Sequence, residues 1–551
     1  MKKKHLIQLF ISFVTTIFLV GCNLDRFPET TFSDVEFWNT ESDLVNACNR
    51  HYQLLAGFQL DNRGDDNVNQ TPNQVSNGNR VIPNTSGDWT DPYKSIFTAN
   101  NILEKGSNAQ VSDEIKNRYF GEARFFRAYA YFSLVQKYGD VPLVTKTLTA
   151  DAPELTMPRT PRAEVVQAIY EDLDFASDWL PARAQLPANQ YGRVTKSSAL
   201  ALKARIALYE GTRAKFHNEG NWQQHLNIAI QAATDVMEQG HVLYPNYGEL
   251  FLHEAEGPSN TENIFVKIYG VSFDNLIVGH NTSRDLENGR NAPTRNLLRQ
   301  YLYADGLPAF TTLNTPALTR SSFFVEEADE PSYNTIFENR DPRLALTLFR
   351  AGEEAYLGPW LPRTSLGSRS AYAAKKGFSV LDRQVNGAAT VDKILIRYAE
   401  VLLIYAEAKY ELDDAISDTD LDLTINALRQ RVGFNVRLTN AFVSANGLDL
   451  REEIRRERTV ELALEGFRYD DLIRWKTAET LLPVQLLGAK FNADEWVGAD
   501  QSNLNLNANE VLIIEDTNVR SFNPSRDYLY PIPFNEITLS DGNVIQNPNW
   551  Q

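Results

Sequence analysis

The densest run of chemically capable side chains lies between 455 and 474, where Arg455, Arg456, Glu457, Arg458, Glu461, Glu465, Arg468, Asp470, Asp471 and Arg474 crowd towards Trp475. Carboxylate pairs drawn from it could do general acid and base work. Their three- and four-residue spacing also suits a scaffold, in which alternating charges support a helix and tie it to its neighbours, and this is the reading preferred here. "HEAEG" at 253–257 begins like a zinc-protease helix but lacks the second histidine four positions on. "DNRGDDN" at 61–67 is acidic, yet its glycine and final residue do not fit a calcium-binding hand. No phosphate-cradling loop or nucleophile elbow occurs. Glycoside hydrolysis needs two positioned carboxylates, and among 71 acidic residues candidate pairs arise by chance. The expectation is a protein that is not an enzyme and carries no cofactor or metal.

Binding chemistry fits better. Sugar rings present C–H groups that pack on flat aromatic faces, and their hydroxyls need a few polar partners. One stretch offers Asp65, Asp66, Asn77 and Arg80, followed by Trp89; another offers Phe324, Tyr333, Trp360 and Tyr372. Each has a plainer alternative. Trp89 could pack at the start of the helix that follows, and Asp65 and Asp66 could be solvated loop residues. Trp360, between Pro359 and Leu361-Pro362, suggests an exposed rigid loop.

These residues need elements to hold them. Ile115, Tyr119, Ala123, Phe126, Ala130, Leu134 and Tyr138 recur at helical steps over 114–138, and Gly139 suits the turn that ends such a helix. Thr160-Pro161 reads as a cap and first-turn proline before another helix, and Thr195 as the cap of the next. Residues 222–239, the stripe Leu395, Tyr398, Leu402 and Tyr405, and the segments 419–432 and 448–476 predict more. Small residues alternate with aromatics along them, the pattern of tetratricopeptide-like hairpins. The fold expected is mostly α: a scaffold of helical hairpins over about 41–57, 91–240 and 391–476, with little β. Long irregular insertions interrupt it at about 58–90 and 270–390. A loop of that length in a compact domain is commonly functional. "EVLIIED" at 510–516 reads as a short strand.

The front of the chain fixes the compartment. Lys2, Lys3 and Lys4 precede an apolar stretch from Leu6 to Val20, too short to span a bilayer. Leu19-Val20-Gly21-Cys22 resembles a bacterial lipobox, which implies removal of a signal peptide, 1–21, and acylation of Cys22, leaving a single domain over 22–551. Several acyl chains make a stable anchor. The net charge of −17 is spread along the chain without a basic footprint, which argues against nucleic-acid binding. Once Cys22 is acylated, Cys48 has no partner, so stability must come from a large core, and 43% apolar content can supply one.

Five long motifs in order, "EARFFRAYAYFSLVQKYGDVPLV" (122–144), "GRVTKSSALALKARIALYEG" (192–211), "IRYAEVLLIYAEA" (396–408), "IRRERTVELALEGFRYDDLIRWK" (454–476) and "DYLYPIPFNEI" (527–537), resemble signatures of the SusD/RagB family. The closing "QNPNW" is similar to the family's ending, with Asn549 in place of a glycine; asparagine tolerates positive φ better than most residues. The resemblance implies a cell-surface lipoprotein of the Bacteroidetes outer membrane. It implies a glycan-binding protein that passes an oligosaccharide to a SusC-like TonB-dependent transporter. The alternatives are a peptide-binding, RagB-like member, or a structural or gating subunit of the transporter without ligand affinity of its own. The nine residues named above as ligand contacts rest on composition and are not carried over from the family.

Overall fold

The structure, a computed structural model, describes residues 37–58, 60–272, 275–276, 279–498 and 501–550. The leader and Cys22 lie outside the described residues. Six longer helices open the fold: α1 (Glu41–Leu54), α2 (Gly87–Lys105), α3 (Asp113–Tyr138), α4 (Arg162–Trp179), α5 (Lys196–Phe216) and α6 (Trp222–Met237). Their starts are written in short polar side chains. At α1 the Thr40 hydroxyl accepts from Asp43 N–H at 3.3 Å while the Asp43 carboxylate accepts from Thr40 N–H at 2.8 Å, a reciprocal cap. Ser86, Ser112 and Thr195 cap α2, α3 and α5. Gly139, at φ 74°, ends α3.

Consecutive helices pack as hairpins, α2 on α3, α3 on α4 and α5 on α6. Close approach needs small residues at the crossings. Ala123, Ala130 and Ala199 are buried there, and a Cβ on Gly211 of α5 would stand 2.8 Å from the Leu226 side chain of α6. The helical scaffold resumes with α7 (Tyr398–Asp413), which lies against α6 and against the later helix Leu450–Glu461. It continues through α8 (Ile425–Arg431), α9 (Leu450–Glu461) and α10 (Arg468–Arg474).

Four boundaries differ from the periodic reading. Thr160 does not cap α4: it bridges to Val141 as extended chain, its hydroxyl accepts from Leu143 N–H, and Pro161 takes the cap position. Leu395 belongs to a strand, because "KILIR" is a β-branched run that pairs before the helix begins. The helix expected over 419–432 is two, broken at Thr424 (φ −116°, ψ −91°), whose hydroxyl donates to Asp420 O at 2.6 Å. The one expected over 448–476 is also two, because Leu464 and Gly466 both take positive φ and turn the chain between α9 and α10.

Strands are short and antiparallel. β2 (Asn263–Lys267) pairs with β4 (Lys393–Arg397), and β5 (Leu486–Lys490) pairs with β6 (Val511–Glu515). β1 (Asn67–Asn69) pairs with β3 (Asn291–Pro293) in the register Asn67↔Pro293, Val68↔Ala292 and Asn69↔Asn291. This last pairing matters most for function, because its two strands come from the two long insertions. Thr294 strengthens the tie: its N–H donates to Asp66 O at 2.9 Å and its hydroxyl to Asp65 O at 2.6 Å.

The charge cluster is structural, and it works between elements more than along one helix. Glu461 is fully buried and accepts from Arg343 at 3.1 Å, from Arg397 at 2.7 Å and from Arg431. Glu457 accepts from Arg343 at 2.6 Å and Arg429 at 2.9 Å. Against burial, which alone would raise it, the Arg431, Arg397 and Arg343 guanidiniums hold the Glu461 carboxyl far below the usual range. Arg474 in the same way holds the buried Glu407 at about 2. Buried charges persist only when paired and hydrogen-bonded, and these are.

Candidate functional site: a cavity between the two insertions and the helices

The structure draws the predicted residues together into packing, and not into an open platform. Asp65 is buried and accepts from Arg468 Nε at 2.7 Å and Nη2 at 3.0 Å. Asp66 beside it is buried, its Oδ1 without a hydrogen-bond partner among the described residues. Burial and the neighbouring Asp65 charge push its carboxyl up to about 8. Asn77 is buried; its Oδ1 accepts from Asn79 N–H and its carbonyl from Ser521 N–H. Arg80 lies over the Tyr530 ring at 4.6 Å, 3.7 Å from Asp527. Asp65, Asn77 and Arg80 fasten the first insertion to α10 and the C-terminal segment; Asp65 and Asp66 are not solvated.

The aromatics are placed deeper still. Trp89 is buried edge-on to Tyr138 at 4.9 Å, the helix-start alternative. Trp360 is 1% exposed, which corrects the expectation of an exposed loop. A short pairing of Glu354-Ala355 with Gly358-Pro359 turns the chain and sends the indole inward. There it stacks on Phe349 at 6.0 Å and donates from Nε1 to Glu287 O at 3.2 Å. Tyr333 and Tyr372 complete the same cluster, their hydroxyls donating to Phe349 O at 3.1 Å and Gly488 O at 3.3 Å. These rings are the centre of a core that the second insertion shares with α9 and the β5–β6 pair. A ring covered on both faces offers a sugar no surface in this conformation. Phe324 is half-exposed, edge-on to Phe310 at 5.7 Å and beneath Arg320 at 5.0 Å, beside a depression of only 30 Å³.

The space that can take a ligand lies elsewhere. A cavity of 620 Å³ opens where the first insertion, α3, α5, the second insertion and β4 meet, within the range usual for small-molecule sites. Phe58 and Asn62 come from the first insertion, His280 and Thr282 from the second, Tyr129 and Gln136 from α3. Phe58 packs on His280 at 4.4 Å, so an aromatic contact joins the two insertions at the wall.

Its charges are largely compensated within the protein. Arg63 pairs with Asp61 at 2.7 Å and Asp470 at 3.4 Å, Lys137 with Asp88 at 2.6 Å, and Arg205 with Glu400 at 2.6 Å. Deeper in, Arg458 pairs with Asp471 at 2.8 Å, Arg474 with Glu407 at 2.5 Å and Lys376 with Glu465 at 2.6 Å. Asp392 and Lys393 have no ion-pair partner among the described residues. Burial drives both towards neutrality, Asp392 up to about 7 and Lys393, with Lys267 nearby, down to about 8. Lys393 Nζ donates to Gly57 O at 2.8 Å and Lys267 Nζ to Leu55 O, so both ammoniums are turned onto the chain leaving α1, where cations suit a helix C-terminus. His253, from the "HEAEG" stretch, stands outside the cavity with a carboxylate on each ring nitrogen, Glu256 at 3.3 Å and Asp382 at 3.1 Å.

Sequence reasoning missed the α3 contribution. Tyr129, Phe132, Ser133 and Gln136 lie on one helix face, at steps of three and four, and all four line the cavity. The available signal was polar Ser133 and Gln136 within the run 128–138 at the end of the helix, whose other residues except Lys137 are apolar or aromatic.

Known proteins share this architecture. The family described as "SusD family" matches residues 281–550, and the one described as "Starch-binding associating with outer membrane" matches residues 44–208. SusD-like protein P25 of Formosa agariphila is 27% identical, over 85% of this chain and 90% of its own. SusD-like protein P2 of the same organism is 24% identical over 100% of both chains. A SusD-like carbohydrate binding protein from Bacteroides fragilis, known from a crystal structure, is 27% identical; the match covers 91% of this chain and 99% of that one, with a TM-score of 0.73. With both halves matched in order, and a helical scaffold that superposes on a solved relative, the chain belongs to the SusD/RagB family.

Proposed function

We propose that this protein is a glycan-binding lipoprotein of the outer-membrane surface, anchored through Cys22, which captures an oligosaccharide and delivers it to a SusC-like TonB-dependent transporter. The observation that carries the reading is the convergence of both long insertions on one cavity with aromatic and hydrogen-bonding walls. That lining is the combination a sugar needs: ring faces for C–H groups and polar groups for hydroxyls. The relatives support it, one solved structure being titled a carbohydrate binding protein and one matching family being described as starch-binding and associating with the outer membrane. The reading requires no bond to be made or broken. Among the described residues no helix is long and apolar enough to cross a membrane; a lipid on Cys22 would supply the attachment.

Titration calorimetry of residues 23–551 against oligosaccharides and, separately, peptides tests this. Saturable heat with an oligosaccharide and none with peptides is expected. Binding of peptides alone would replace the glycan by a peptide cargo, and no binding of either would leave a structural subunit of the transporter. Co-purification of the full lipoprotein with the transporter tests the delivery partner independently.

A further inference from the structure

The cavity has the chemistry to discriminate among glycans, an inference that rests on the glycan-capture reading and extends it to substrate class. Three groups of the α3 face are unused by the fold. The Tyr129 hydroxyl, the Ser133 hydroxyl and the Gln136 amide line the cavity and make no hydrogen bond to any described residue. Ser133 and Gln136 are half-exposed although they sit within two turns of fully buried Leu134 and Val135, so the exposure they have is towards this space. Asn62 adds a fourth group: its Oδ1 accepts from Asn73 at 2.8 Å, leaving its N–H₂ uncommitted. All four are uncharged donors or acceptors. Phe58 and Phe132 bring aromatic carbon alongside them.

The cations tell the complementary story. Of those that line the cavity, each except Lys393 already faces a carboxylate within 4 Å, and Lys393 is held on Gly57 O. A uronate or sulfate entering here would meet no guanidinium that lacks a facing carboxylate, the one uncommitted N–H being the buried Nη1 of Arg458, whose Nε is held by Asp471, and no unheld ammonium. It would also pass the carboxylates of Asp61, Asp88 and Asp470. A desolvated anion without a partner is costly, whereas neutral hydroxyls can exchange water for the four free groups at little net cost.

We infer that the cavity selects an uncharged oligosaccharide over an acidic or sulfated one, and that Tyr129, Ser133 and Gln136 on α3 are its specificity-determining residues. Selection thus comes from the scaffold helix α3 as much as from the insertions. Discrimination follows from leaving a charge unpaired, a stronger filter than loss of one apolar contact.

The test is calorimetry with six-residue oligomers of glucose, xylose and mannose as neutral probes, and oligogalacturonate, oligoalginate and sulfated carrageenan oligomers as anionic ones. At least one neutral probe should bind at least tenfold more tightly than any anionic probe. For that probe Gln136→Ala, Ser133→Ala and Tyr129→Phe should each weaken binding by about 3- to 10-fold, the loss expected for one hydrogen bond. Thermal unfolding checks that each variant is folded, and Ser133→Ala, the smallest change, serves if the others are not. Preference for an anionic probe, or neutral binding indifferent to all three substitutions, overturns the inference while glycan capture stands. Failure of every probe, neutral or anionic, removes both.

Discussion

Asp66 offers a prediction whose size can be worked from its surroundings. Its carboxyl is buried, one oxygen has no partner, and the Asp65 carboxylate is the next residue. Burial first, and Asp65 second, raise it from 3.8 to about 8, with Arg468 acting in the opposite sense. A folded-state value above the unfolded one means the folded protein holds a proton that the unfolded chain releases. Stability from this group is therefore complete below the unfolded value and falls as pH rises towards about 8. The slope is about 1.36 kcal/mol per pH unit, so four units give an upper bound of ~5 kcal/mol, and local relaxation brings the expected figure to ~2–5 kcal/mol. Asp66→Asn keeps the shape and removes the titration. Urea unfolding of both proteins at pH 5, 6, 7 and 8 reads the difference. The variant should gain stability relative to the parent progressively with pH, and the gain should level off above pH 8. Parallel pH profiles for the two proteins would refute the assignment of a neutral buried Asp66.

Other substitutions separate packing from binding. Trp360→Ala empties a site stacked on Phe349 and should cost about 3–5 kcal/mol, read by denaturant midpoint; a loss below 1 kcal/mol would mean the indole is not core. Glu461→Gln withdraws the charge shared by Arg343, Arg397 and Arg431 and should cost about 3–5 kcal/mol, although each arginine keeps another carboxylate. The same pairing predicts acid sensitivity: with its folded value lowered, the stability Glu461 contributes is present above about pH 4.5 and declines as pH drops below it. Asn549 sits at φ 63° and donates to Ser525 O at 2.7 Å, so Asn549→Gly should change stability by under about 1 kcal/mol while Asn549→Val costs more.

The helical scaffold was legible because its signals are local. Thr195 and Gly139 mark ends through their own conformational chemistry, and the stripe from Tyr119 to Tyr138 repeats often enough to fix a face. Asn549 in a glycine position was legible for the same reason, and its positive φ agrees. The breaks at Thr424 and between Glu461 and Arg468 were not, because amphipathic spacing continues across them while the ion pairs that fix the turn come from residues as distant as Arg343 and Arg397. The aromatic insertions failed for a related reason. Composition shows that Trp360, Tyr333 and Tyr372 are flat and apolar, but not which covers which. A segment of some 120 residues with few long helices can still pack a core against its neighbours, and once it does its largest rings are the first to be buried. Ser133 and Gln136 were overlooked because a polar residue on a core helix reads as a gap in a stripe until the neighbour it faces is known to be empty space.

The most direct test of ligand capture between the insertions is a crystal structure of residues 23–551 with whichever neutral oligosaccharide binds in solution. The account predicts sugar density in the space bounded by Phe58, Tyr129 and Gln136, with hydroxyls on Ser133 and Asn62. Full-occupancy density confined to the outer surface, with that space filled by solvent alone, would contradict it.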